Sequence, residues 1–151
     1  MIRNLDTDPN GLLIRYKWGG RYERRSDGKG TYYGDGNAYM GTVRTHLAVP
    51  VGNIVMVIAQ TVDEQFSKSK IYYSEEVLDY HTGDIYVKAA RATTANKNYE
   101  VNISACTNGV TILGSGIYTP DDWDEILELH TSGVLQYPWI SGETLRGGVP
   151  M

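Results

Sequence analysis

Short apolar stretches with a period near two, cut at close intervals by Gly, Asn, Asp and Pro, run along most of this chain. That pattern predicts β-strands joined by tight turns. Ile14, Tyr16 and Trp18 share one face of a first strand, with Arg15 and Lys17 on the other, and Gly19-Gly20 ends it. Asp27-Gly28 is a hairpin signal between two polar, tyrosine-bearing strands. Lacking a strong apolar face, the hairpin over 21–40 is expected to project from the body. Residues 38–51 alternate weakly. The run over 53–61 is nearly all apolar and rich in β-branched side chains, which predicts a strand covered on both faces. Further strands are predicted over 70–73, 85–91 and 98–107, with 75–80 ambiguous and 81–84 a turn. Asn108-Gly109 is the strongest type I′ hairpin signal, with 110–113 as the returning strand, continuing loosely to Tyr118.

One segment changes period. Thr119 suits a helix N-cap and Pro120 the first helical position. Asp121, Asp122 and Asp124 place negative charge where the helix dipole favours it. Trp123, Ile126, Leu127 and His130 then form an amphipathic stripe, and Gly133 is a stop. Beyond it, 134–151 reads as an extended apolar-aromatic arm. The expected fold is mainly β: an antiparallel β-sandwich or small barrel with one C-terminal helix and an extended C-terminal arm. Residues 1–133 form a single β-rich domain in this reading, and the arm follows.

Composition sharpens the picture. The 151 residues include twelve Tyr and one Phe, and Tyr, with an apolar ring and a polar tip, suits half-wet surfaces. Net charge is −4 but unevenly spread: +3 over 1–44, −2 over 45–118 and −5 over 119–151. Such polarity allows one end of a subunit to meet the other end of a neighbour in a ring or stack, though solvated faces of ordinary kind produce it too. A pI near 5.3 argues against nucleic acid as a partner. The longest apolar run, 54–59, is too short to cross a bilayer, and no apolar leader core is visible at the N-terminus, so a cytoplasmic product is expected. Lone Cys106, on an alternating segment, reads as a small buried hydrophobe.

Candidate chemistry is sparse. Asp6, Asp8 and Asn10, followed by Gly11, have the spacing with which calcium loops begin. Lys17 stands where such a loop needs its closing Glu, and an Asx-type turn explains the same residues. The glycines at 28, 30, 34 and 36 lack phosphate-loop spacing. His46, His81 and His130 are scattered, with no second ligand at short spacing. The acids of 121–128 cluster on one helix start, where capping and solvation account for them. Tyr22, Arg24, Arg25, Tyr32, Tyr33 and Tyr39 in the hairpin, with Tyr137 and Trp139 in the arm, have the composition of an interaction surface. Tyr paving half-exposed strand positions would look the same.

A compact β-domain, Gly-Asn-Asp turns, a single cysteine and an aromatic arm together resemble the structural proteins of tailed-phage virions. The resemblance is one of composition. It implies a non-enzymatic tail, fibre or decoration subunit, located in the virion after synthesis in the host cytoplasm. Its partners would be copies of itself and other virion proteins, with no cofactor beyond the calcium that the 6–11 loop would take. The alternative is a small module that binds glycan or protein through the Tyr-rich hairpin. An enzyme is expected least, because no nucleophile–base pair or metal-ligand set emerges.

Overall fold

Alternate residues of the apolar strand Ile54–Gln60 enter two separate cores. Ile54, Met56 and Ile58 lie in one, and Val55, Val57 and Ala59 in the other, as a strand buried on both faces requires. A computed structural model of the chain describes residues 2, 3, 5, 13–15, 21–26, 30–36, 42–44, 48–95 and 97–133. The candidate metal residues Asp6, Asp8 and Asn10, the aromatic Tyr39, and the expected arm over 134–151 with Tyr137 and Trp139 lie outside the described residues.

The architecture is mainly β, with nine strands and one α-helix among the described residues. In chain order these are β1 (Leu13–Arg15), β2 (Arg21–Arg24), β3 (Gly30–Tyr33), β4 (Thr42–Arg44), β5 (Ile54–Gln60), β6 (Ser74–Thr82), β7 (Ile85–Ala92), β8 (Glu100–Asn102), β9 (Val110–Tyr118) and α1 (Pro120–Thr131). A short 3-10 helix, Glu64–Lys68, follows β5. Six strands make one antiparallel sheet in the order β2-β3-β9-β5-β7-β6, and β1-β4-β8 make a second, smaller one. Val101 of β8 shares a buried cluster with Val55 and Val57, so the small sheet covers one face of the large one. The helix covers the other through Trp123 and Ile126, which pack with Met56, Val87 and Leu113. Among the described residues the large sheet does not close on itself, so of the two expected β architectures the layered one is present.

Strand β9 lies between β3 and β5, and all nine of its residues are buried. A bulge shifts its register, pairing Ile58 with Gly114 but Ala59 with Ile112. The extra residue, Leu113, turns to the helix side, while Ile112 and Val110 serve the opposite core. The helix begins as its sequence predicts. Thr119 accepts a hydrogen bond from the Asp122 N–H at 3.3 Å, Pro120 opens the first turn, and Gly133 follows the end.

Four local expectations are corrected. Within the expected 21–40 hairpin, β2 and β3 pair, but they do not project. β3 pairs with β9 through Thr31–Thr111 and Tyr32–Val110, because Tyr32 and half-buried Tyr22 supply the apolar face that the pattern understated. The ambiguous stretch 75–80 is strand, and 81–82 continue it. The turn is the two-residue Gly83-Asp84, with Gly83 at φ +56°, where a type II′ turn takes glycine. Asn108-Gly109 joins no hairpin, since β8 and β9 belong to different sheets. Gly109 adopts φ +93°, and a Cβ there would lie 2.7 Å from the Tyr33 ring. Of 70–73 only Ile71 bridges, to Val101, before the chain turns.

Trp123→Ala should cost about 3–5 kcal/mol, since it empties the centre of the helix–sheet core. Thr119→Ala should cost about 1 kcal/mol through the lost cap. Urea unfolding of both variants checks the order, and equal losses would contradict the packing described.

Candidate interaction surface

The β2–β3 ladder sets Arg21 against Tyr33, Tyr22 against Tyr32, and Glu23 against Thr31. Their rings do not form one exposed platform. Tyr32 is 5% exposed and belongs to the core, so its place in the expected interaction surface is withdrawn. Tyr22 tilts against it at 5.0 Å between ring centres. Tyr33 stays half-buried, with the Arg21 guanidinium 4.0 Å above its ring and its hydroxyl donating to Glu23 at 3.4 Å. Arg24 and Arg25 are exposed at the outer side of the sheet. Of the expected surface, Tyr22 and Arg24 share the face opposite the helix, while Tyr33, paired with Arg21, lies on the other face, so the structure does not gather them on one surface.

Tyrosine also fills the core. Tyr86, Tyr99 and Tyr118 are 4%, 2% and 1% exposed. The Tyr99 hydroxyl donates to the Thr94 carbonyl at 2.7 Å and accepts from the Thr94 N–H at 3.3 Å, which ties down the loop beside it. Burial of a phenol is tolerated because its polar tip finds partners.

Beneath β7 lies a buried polar group that the alternation of 85–91 hid. Lys88 is 4% exposed on the face opposite the helix. Its Nζ reaches Asp79 Oδ1 at 3.2 Å and the Ser67 carbonyl at 3.5 Å, and lies 5.3 Å over the Phe66 ring. Nearby Asp63 accepts from Gln65 N–H at 3.0 Å and from Asn108 N–H at 3.1 Å, joining the 3-10 helix to the turn before β9. These bonds satisfy each charge in place, so the cluster is an anchor for loops. Buried Cys106 sits close by. Desolvation pushes its thiol up to about 12, with Asp63 adding to the rise and Lys88 opposing it. His81 stacks on Tyr86 at 4.1 Å, and His130 meets Tyr80 edge-on at 4.7 Å. Both histidines thus pack against rings, and they are not brought together.

A second exposed aromatic pair was legible only as part of a strand. Tyr72 and Tyr73 are 43% and 56% exposed, with ring centres 6.5 Å apart. Tyr73 adopts φ +62°, the only non-glycine with positive φ among the described residues. That conformation costs an L-residue about 1–2 kcal/mol. Its carbonyl is held by the Thr93 hydroxyl at 2.7 Å, and Lys97 Nζ lies 4.9 Å from its ring. Beside Tyr72 runs a shallow cleft of about 260 Å³, lined also by Gln65, Lys68, Lys70, Asn102 and Ser104.

Among the described residues, no three His, Cys, Asp or Glu side chains group as metal ligands do, and no helix is long and apolar enough to cross a membrane. No protein-family model, curated protein or solved structure matches this chain.

Two expectations follow from these environments. The fold accommodates the neutral Cys106 thiol and the neutral Tyr32 phenol, the latter also raised to about 12 chiefly by burial. Their folded pKa values lie above the ordinary 9.0 and 10.0, so their contribution is complete below pH 9 and is lost as pH climbs toward 12. Urea midpoints should be insensitive to these groups up to pH 9 and fall above it, with a smaller fall in Cys106→Val. Tyr73→Gly should be more stable than Tyr73→Ala by about 1 kcal/mol, because only glycine takes positive φ without strain. Equal stability of the two would remove the strain from Tyr73.

Proposed function

We propose that this chain is a non-enzymatic structural subunit that acts by self-association, in the manner of tail, fibre or decoration proteins of tailed-phage virions. One observation carries the reading. The six-stranded sheet is covered on both faces yet, among the described residues, no strand pairs with the outer side of β2 or β6. A strand edge offers a row of main-chain donors and acceptors, and another chain can extend the sheet there. Growth through edges needs no pocket and no reactive group. Exposed Tyr72 and Tyr73 add aromatic area of the kind that subunit contacts use.

The strained Tyr73 and the cleft beside Tyr72 favour a second reading, a glycan-binding module. A tyrosine ring next to amide, hydroxyl and ammonium groups suits stacking and hydrogen bonding to a sugar.

Size-exclusion chromatography with light scattering separates the two. The structural reading expects particles at multiples of 16.8 kDa whose share grows with concentration. A species that stays monomeric at millimolar concentration and binds on a glycan array would replace the first reading with the second.

A further inference from the structure

We infer that copies of this chain join head to tail, edge β6 of one against edge β2 of the next, so that one antiparallel sheet runs through both. The inference rests on the self-association proposed above and names the surfaces that would carry it. Three independent features of the large sheet agree on this pairing.

Charge comes first. The outer strand β6 carries Glu75, Glu76 and Asp79, all exposed, and no Lys or Arg. Lys88 and Arg91 stand opposite Asp79 and Glu75, but on β7, one strand inward, while Glu76 faces Ala90. At the other end, β2 carries Arg21 and Arg24, with Arg25 directly after it and Glu23 as the one acid. The two ends are therefore of opposite sign. Pairing β6 with β6 across a two-fold axis would bring two acidic edges together. Pairing β2 with β2 would bring two edges of net positive charge together. Like charges across a ladder are destabilising, so both isologous dimers are disfavoured and the heterologous contact remains.

Strand count comes second. All neighbours in the sheet are antiparallel and there are six of them. Because six is even, β2 and β6 run in opposite directions. A second copy set beside the first in the same orientation thus offers an antiparallel β2 to β6, and the alternation continues unbroken.

Face comes third. Residues opposite each other in a ladder share a face. Asp79 pairs with Lys88 and Lys88 with Val57, while Glu76 pairs with Ala90, which puts Asp79 and Glu76 on the face opposite the helix. Tyr22 pairs with Tyr32 and Tyr32 with Val110, so Tyr22 and Arg24 lie on that same face. Glu75 pairs with Arg91 and Arg91 with Ile54, on the helix face, where Arg21 also lies. In the joined sheet both faces therefore bring Arg and acid side chains to the seam.

The contact is small. β2 is four residues long, and a ladder of that length falls well below the roughly 1,000 Å² of a stable interface. Pairwise association is accordingly weak and gains from closure into a ring or from extension into a fibre, the two outcomes open to a heterologous contact.

Two charge-reversal variants test this. R24E/R25E makes both edges acidic, and E75R/E76R makes both basic. Each alone should sediment as a monomer at concentrations where the wild-type chain associates, a loss of at least about tenfold in association constant. Mixed one to one, the two should associate again, since every edge then meets its opposite. Wild-type association should also weaken between 0.05 and 0.5 M salt. Circular dichroism and melting curves check that each variant is folded. Hydrogen exchange of the wild type, slowed with rising concentration at 21–24 and 74–82, supplies a reading independent of the variants. If the wild-type chain associates and both variants associate equally well alone, the edges are not the interface, although self-association stands. If the wild-type chain never associates, the self-association reading itself fails.

Discussion

Dehydration of β5 and β9 on both faces at once is the constraint on which this fold rests. Every residue of β9 and all but the last of β5 are buried. Their main-chain groups can be satisfied only by neighbouring strands, so the pair must sit in the middle of a sheet. β3 and β7 therefore flank it, and β2 and β6 are pushed outward. Two covers are needed as well: α1 on one face, and the small sheet with the loop residues of 61–71 and 93–109 on the other. The bulge at Leu113 serves the same end, because it lets one strand feed both cores where its alternation would otherwise fail.

The same constraint decides where a second molecule can attach. Among the described residues, with both faces covered, the strands left with one unpaired side are those at the sheet's two ends, four residues long at β2 and nine at β6. The proposed addition of strands draws on this burial of the centre. The glycan reading needs a different surface, the Tyr72–Tyr73 corner, which lies in the loop between the 3-10 helix and β6.

Features that local chemistry determines were legible in the sequence. The two-sided strand over 53–61 declares itself by an unbroken apolar run, and the helix over 120–131 by its cap, proline, acids and stripe. What failed depended on distant partners. Residues 75–80 carry Glu75, Glu76 and Asp79, which depress strand propensity, yet the ladder with β7 overrides it. Asn108-Gly109 is a turn in both accounts, but which strands it separates is a matter of sheet order, on which the turn residues are silent. Tyr32, Tyr86, Tyr99 and Tyr118 were unreadable as core because a tyrosine's burial depends on whether its hydroxyl finds a partner, as Tyr99 does at Thr94. Of the candidate surface, the basic cluster at 21–25 was visible; its acidic counterpart on β6 was not, since 75–80 was not assigned to a strand.

Acids on an edge strand, together with the bulge between Glu76 and Leu78, are devices by which proteins discourage unwanted pairing. They do not discourage all pairing equally. A uniformly acidic coat on both ends would repel every copy in every arrangement. Here the far end is basic, and arginine, whose planar fork engages carboxylates through two hydrogen bonds, supplies the charge. In the proposed assembly, the acids that disfavour a β6–β6 dimer are thus the groups that a β2 edge would meet. Protection from the wrong contact and selection of the right one would there come from the same acidic edge, and the shortness of β2 would keep that contact reversible until several form together.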